Sequence, residues 1–148
     1  MSHLNDSHRV LEYGSGISTI EISKKVKEII SIEHQETWYS EIFSKLPSNC
    51  TLILKKPNLE YTEGGHCGTY EQFKDYVEAP MNFGIFDIVL IDGRARVSCA
   101  SIVNKFSNKN TIIFVHDFNR EEYQDIKNYL EIVDSADTMY KFKIKFYS

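Results

Sequence analysis

The chain is short of cysteine, has no excess of positive charge and contains no long apolar run, and each lack narrows what it can do. Its three cysteines, Cys50, Cys67 and Cys99, are odd in number and fall in no CxxC spacing. That argues against a disulfide scaffold and for reduced thiols in a cytosol-like compartment. Seventeen Lys and Arg against twenty-one Asp and Glu leave a formal charge of −4, so no basic field draws the chain to nucleic acid or a membrane surface. The first residues lack the apolar core of a signal peptide, and no apolar stretch is long enough to cross a bilayer. A cytoplasmic protein is expected. Neither an internal repeat nor a low-complexity tract is present. What remains is 148 residues, 42% hydrophobic and 26% charged, which is one domain with a core of its own.

Hydrophobic periodicity divides that length into alternating strands and helices. Strands are expected over residues 9–13, 28–33, 50–54, 86–91 and 111–115. Helices are expected over 17–26, with Ile17, Ile20, Ile22 and Val26 inward, and over 36–46, with Trp38, Ile42, Phe43 and Leu46 as its stripe. Further helices fall over 69–77, 97–106 and 121–130, and residues 58–68 read as a loop. The runs at 86–91 and 111–115 are continuously apolar, as strands buried on both faces are. The tail changes character, with two strands over 131–134 and 139–146. In Tyr140-Lys-Phe-Lys-Ile-Lys-Phe146 apolar residues alternate with lysine, which marks a strand with one wet face rather than a nucleic-acid surface. The pattern is that of an α/β fold: a mostly parallel central sheet, helices on both faces, and a C-terminal antiparallel hairpin.

Residues 10–19, Val-Leu-Glu-Tyr-Gly-Ser-Gly-Ile-Ser-Thr, join the first strand to the first helix through a glycine turn. Gly14 and Gly16 let backbone approach a ligand, while Ser15, Ser18 and Thr19 supply hydroxyls and caps. Glu12 interrupts the apolar strand two residues before the turn. Glu33 ends the second strand nineteen residues after Gly14, a spacing suited to a carboxylate that holds ribose hydroxyls. Together these features point to a nucleoside-containing cofactor. Two other strand ends are polar, Asp92-Gly-Arg94 and His116-Asp117. The ordinary alternative is that each acid caps a helix or accepts backbone N–H groups, because a carboxylate at the end of an apolar strand needs partners.

Glu12-Tyr-Gly-Ser-Gly16 with Glu33 resembles the first motif and ribose-binding acid of class I S-adenosylmethionine-dependent methyltransferases, whose Rossmann-like sheet also ends in an antiparallel hairpin. The resemblance spans nearly the whole chain. Asp92-Gly-Arg-Ala-Arg-Val97 followed by His116-Asp-Phe118 looks like a subgroup of small methyltransferases, some associated with sugar or glycan modification. The resemblance implies S-adenosyl-L-methionine as cofactor. Gly14, Ser15, Gly16 and Thr19 would cradle its methionine part, and Glu12 would receive its ammonium or position the turn. Glu33 would take the ribose, His34 would lie against the adenine, and Asp92 would lie beside the methionine moiety and the substrate. The chain departs from the family at the third strand's end, where Lys55-Lys56-Pro57-Asn58 stands in place of an adenine-binding acid, so adenine contacts fall to the 58–70 loop.

For a hydroxyl acceptor, a small molecule or glycan, His116 is the candidate base, oriented by Asp117 or Asp92. The bland alternative makes His116 a satisfied buried histidine and Asp117 a helix cap. Some enzymes of this fold hold a divalent metal, Mg or Mn, at positions matching Asp92 and Asp117. Here Phe118 replaces the usual third ligand, and metal dependence is not the favoured reading. Arg94 and Arg96 either grip an anionic acceptor or pair with nearby acids. Tyr70, Phe73 and Tyr76 form a core stripe whose first member borders a ligand pocket. His66-Cys67 lacks a second pair at zinc spacing.

Two rivals stand beside this reading. A nicotinamide-dependent oxidoreductase wants a glycine where Thr19 stands and an apolar residue at Glu12. A non-catalytic binding domain of the same fold gains weight from brevity, since the first strand starts almost at once and covering helices are missing. On that ground a homodimer or a companion domain of a longer protein is expected to complete the site.

Overall fold

The structure is a computed structural model that describes residues 4–60 and 68–145. Seven strands form one sheet: β1 (Arg9–Tyr13), β2 (Glu28–Glu33), β3 (Cys50–Leu54), β4 (Ile88–Ile91), β5 (Ile112–His116), β6 (Leu130–Ala136) and β7 (Met139–Ile144). Their order is β3-β2-β1-β4-β5-β7-β6. The first five pair in parallel, β7 runs antiparallel to β5, and β6 closes the hairpin on β7. The expected sheet and its terminal hairpin are present. β1 is the switch point: β2 and β3 build outward on one side of it, and β4 and everything after build on the other.

Period-two alternation assigns each strand residue to a face. Leu11, Tyr13, Ile30, Ile32, Val89, Ile91, Ile113, Val115, Phe142 and Ile144 enter the larger core cluster. Above them lie α3 (Lys74–Glu78), which contributes Tyr76 and Val77, and α4 (Arg96–Ile102), which contributes Cys99 and Ala100. Val10, Ile29, Ile88, Leu90 and Phe114 face the other way and pack with Ile22 of α1 (Ile17–Ser23) and with Val26. On this second face β7 turns its lysines outward, with Lys143 exposed while Phe142 and Ile144 are buried. α2 (Glu36–Phe43) lies against β2 and β3.

The helices are shorter than their hydrophobic patterns predict. α1 ends at Ser23, and Ile17, expected inward, is its first residue and is 74% exposed. In α2 only Ile42 is buried, and Phe43 lies outside, stacked on Tyr39. The helix expected over 69–77 begins at Lys74 and tightens into a 3-10 turn over Ala79–Asn82, where Pro80 has no N–H to continue an α-helix. α4 likewise passes into a 3-10 turn over Val103–Phe106. Residues 121–130, expected as an α-helix, are 3-10 over Glu121–Asn128, and its buried residues, Tyr123 and Ile126, stand three apart. That spacing suits a helix of three residues per turn. Among the described residues no helix is long and apolar enough to cross a membrane.

Candidate functional site

Several of the polar residues singled out in the sequence gather at one height of the sheet. Glu12 pairs with Ser31 on one side and Leu90 on the other, Leu90 pairs with Phe114, and His116 pairs with Met139. Two residues further along each parallel strand, the same register sets Glu33, Gly14, Asp92 and His116 in a row across the carboxyl ends of β2, β1, β4 and β5. That is where open parallel sheets bind their ligands.

The turns at the ends of β1 and β4 interlock. Gly14 has φ +94°, and a Cβ there would lie 2.5 Å from the Asp92 carbonyl oxygen; a Cβ on Gly93 would collide with the Tyr76 hydroxyl. Gly16 differs. It is extended, and its Cα faces open space, with nothing nearer a Cβ than the Ser18 hydroxyl at 4.0 Å. Glycine at residue 14 is therefore required by the fold, whereas at residue 16 it leaves room beside the turn. A cavity of about 200 Å³ opens here, lined by Gly14, Ser15, Glu33, His34, Trp38 and Asp92 among others.

Glu33 forms its wall, almost wholly buried. One carboxylate oxygen accepts the Ser15 backbone N–H at 3.1 Å and the Ser15 hydroxyl at 2.6 Å. The other accepts the N–H groups of His34 and Gln35 at 3.0 and 2.8 Å. Its lone pairs are thus shared between the glycine turn and the start of α2. His34 packs edge-on to Phe73 and Tyr76, with ring centroids 5.7 and 6.1 Å apart. Trp38 donates its indole N–H to the Ser15 carbonyl at 2.8 Å and holds the turn from outside. The sequence reading placed Trp38 in an apolar stripe. The one signal for its second role was that this chain's only tryptophan sits in the helix directly after Glu33.

Glu12 lies beneath the turn and is 2% exposed. It accepts hydroxyls from Thr19 at 2.5 Å, Ser31 at 2.8 Å and Ser18 at 3.0 Å. Burial nonetheless pushes its carboxyl up to about 7, and the negative charge of Asp92 adds to the rise while the three hydroxyls oppose it. Thr19 also accepts the Gly16 backbone N–H at 2.9 Å. Of the two sequence-derived roles for Glu12, the contacts display the positioning of the turn.

Asp92 and His116 face each other across the ends of β4 and β5, with His116 Nδ1 3.2 Å from an Asp92 oxygen and 3.5 Å from Asp117. The other ring nitrogen, Nε2, is 3.0 Å from the Thr138 hydroxyl, a partner from the hairpin that sequence reasoning missed. Asp117 has φ +58° and pairs with Arg120 at 3.1 Å. Arg96 is a buried clamp: it donates to the carbonyls of Gly93 at 2.9 Å and His116 at 2.5 Å, stands 3.4 Å from Asp92, and lies over the Tyr123 ring. It pairs with its own site. Arg94 lines the cavity. Tyr70 does not line it and donates its hydroxyl to Glu78 at 2.5 Å. Asp92 and Asp117 are both engaged by cationic or imidazole groups. Among the described residues no three His, Cys, Asp or Glu side chains are arranged to hold a metal ion. Cys50 and Cys99 are free thiols, and burial pushes Cys50 up to about 11 and Cys99 further still. Cys67 and the His66-Cys67 pair lie outside the described residues, as does most of the loop expected to meet adenine. Asn58, in its described part, accepts the Asp75 N–H at 3.0 Å.

Strand order, hairpin and switch-point site together define the Rossmann-like fold of class I S-adenosylmethionine-dependent methyltransferases. A methyltransferase-like protein from Silicibacter pomeroyi superposes with a TM-score of 0.71 at 21% identity, over 93% of this chain and 78% of that one. The N-methyltransferase NodS from Bradyrhizobium japonicum, in complex with S-adenosyl-L-homocysteine, gives 0.60 at 11% identity over 94% and 79%. A TehB-like methyltransferase from Corynebacterium glutamicum gives 0.63 at 8% over 97% and 84%. No protein-family model matches the sequence, and no curated protein is significantly similar to it.

Proposed function

We propose that this chain is an S-adenosylmethionine-dependent methyltransferase that methylates a hydroxyl of a small acceptor, with a sugar or glycan as the class implied by the narrower resemblance. The observation that carries the reading is the single row of Glu33, Gly14, Asp92 and His116 at the switch point. The residues suit the cofactor: open space beside Gly16 admits a ligand against the backbone, and Glu33 stands at the cavity wall as a carboxylate. There Glu33 would accept ribose hydroxyls once the Ser15 hydroxyl yields its place, Asp92 and the glycine turn would meet the methionine end, and His34 would border the base. The cofactor supplies an electrophilic methyl on a sulfonium.

The chain's own contribution is alignment and one proton. Fixing nucleophile and methyl carbon in line supplies several kcal/mol, and a base on a hydroxyl adds roughly two to four powers of ten. His116 serves as that base. With Nδ1–H donated to Asp92, its Nε2 carries the lone pair. Thr138 occupies that lone pair until an acceptor hydroxyl replaces it.

Thermal unfolding in S-adenosylhomocysteine and in NAD tests the class. At one hundred times Kd a ligand adds about 2.7 kcal/mol, which raises Tm by roughly 5–10 °C for a chain of this size. Stabilisation by S-adenosylhomocysteine alone, lost in Glu33→Ala, is expected. Stabilisation by NAD alone would select the oxidoreductase. Cofactor binding without methyl transfer to any hydroxyl panel would select a binding domain.

A further inference from the structure

Asp92 also borders a second cavity, of about 70 Å³, on the α1 face of the sheet. Its walls are Ile22 of α1, Leu90 of β4, Phe114 of β5 and Met139 at the start of β7, and its polar lining is Glu12, Ser18, Asp92 and His116. Two of those four are already engaged with each other: Ser18 donates to Glu12, whose carboxylate also takes Thr19 and Ser31. Asp92 and His116 also face each other, at 3.2 Å, but at 47% and 37% exposed they keep the surface that can address a guest.

Resting on the methyltransferase reading, we propose that this second cavity is the acceptor subsite and selects a hydroxyl compound bearing a small apolar group, a single ring or short branched alkyl, beside the reacting oxygen. The apolar group lies between Ile22, Leu90, Phe114 and Met139, which directs the hydroxyl to His116 and Asp92. Since Asp92 lines both cavities, a hydroxyl held there faces the cofactor crevice. The acceptor oxygen gives its proton to His116 Nε2 and bonds to the methyl carbon; the carbon–sulfur bond breaks with its electron pair left on sulfur as a neutral thioether. A sugar with hydroxyls all round would bury some of them against carbon without partners, which weakens binding. The proposal narrows the sugar class to deoxygenated or aryl-bearing members.

Methyl NMR on the full chain tests this directly. Benzyl alcohol is titrated against methyl glucoside while the Met139 and Ile22 methyl signals are followed, with Met81, remote from the cavity lining, as internal control. Benzyl alcohol is expected to shift Met139 and Ile22 and leave Met81 in place, and methyl glucoside to shift neither. Filling the cavity with Met139→Phe, or Met139→Leu as the milder change in case the first does not fold, should weaken the shift of Ile22. With S-adenosylmethionine, Met139→Phe should lower methyl incorporation into benzyl alcohol by about tenfold or more, the scale of hydrophobic-pocket discrimination, with S-adenosylhomocysteine affinity unchanged. Equal or larger shifts with methyl glucoside, or full incorporation in Met139→Phe, overturn the subsite. Loss of S-adenosylhomocysteine binding by the parent chain would instead strike the cofactor reading, and the benzyl alcohol shifts would still report on the cavity.

Discussion

At the scale of single residues, Glu12 shows how burial and hydrogen bonding divide a carboxylate's behaviour between them. Three hydroxyls converge on it, two from α1 and one from β2. An acid inside an apolar strand was legible as a group that must have partners. Ser31 as one of them was not, because it depends on the β1–β2 register, which places Ser31 opposite Glu12. The hydroxyls only partly offset desolvation, and the folded carboxyl titrates near 7 against 4.5 in the open chain. For an acid with a raised folded value, the stabilising share is fully present below pH 4.5 and is lost as pH rises through 7. The difference amounts to on the order of 3 kcal/mol. Glu12→Gln keeps the shape and still accepts Thr19 and Ser31 while its amide donates to Ser18. Urea midpoints at pH 5 and pH 8 should therefore differ less in Glu12→Gln than in the parent, with the parent weaker at the higher pH. Equal pH dependence in both proteins would place the titration elsewhere.

At the scale of elements, the turns at the strand ends show what the glycine spacing said and what it withheld. A glycine turn after β1 was plain from Gly14 and Gly16, as was the polar end of β4. Their mutual contact was hidden, since it follows from β4 pairing with β1 across the whole of residues 14–87, a fact of topology. The contact separates the two glycines by experiment. Gly14→Ala places a methyl 2.5 Å from a backbone oxygen in a left-handed conformation, so neither side can yield cheaply. It should destabilise by about 1–3 kcal/mol. Gly16→Ala meets open space at an ordinary φ, so its melting temperature should stay near the parent's while S-adenosylhomocysteine affinity falls by about tenfold or more, if that space is where the cofactor's methionine end lies. Calorimetry and ligand titration of the two variants give the comparison. Equal loss of stability in both would mean that residue 16 is held by packing rather than kept clear for a ligand. Helix type was less legible than turn chemistry. The 3-10 segment over Glu121–Asn128 carries apolar residues that satisfy spacings of three and four alike, and its packing against both α4 and β6 is not visible in that pattern.

At the scale of the whole molecule, the terminal hairpin ties the core to the site. The alternation of lysine with aromatic and aliphatic residues made β7 legible as a half-wet strand, and the continuous apolar runs made β4 and β5 legible as central ones. Where the hairpin docks was not, because only the sheet order places β7 beside β5. Docked there, its inner residues Phe142 and Ile144 close the larger core, while its first turn brings Thr138 to His116 and Met139 to the second cavity. Phe142 is fully buried and meets Phe118 edge-on with ring centroids 5.0 Å apart. Removing that ring in Phe142→Ala should cost about 3–5 kcal/mol, a large part of the 5–15 kcal/mol that holds an ordinary domain together. The hairpin's outer strand has little to hold it alone, since β6 beyond Leu130 is exposed along its length. Two outcomes are therefore distinguishable. If the hairpin and the parallel sheet are one cooperative unit, Phe142→Ala unfolds in a single transition at lower temperature, and amide exchange rises together at β1, β4 and β7. If the hairpin opens first, exchange rises at β6 and β7 alone, and the ring signals of His116, read by NMR, change as Thr138 leaves its ring. The single transition is expected, because Phe142 packs in the same cluster as Ile113 and Val115 of β5 and Phe118 beyond it, and a cavity there loosens both sides of the seam at once.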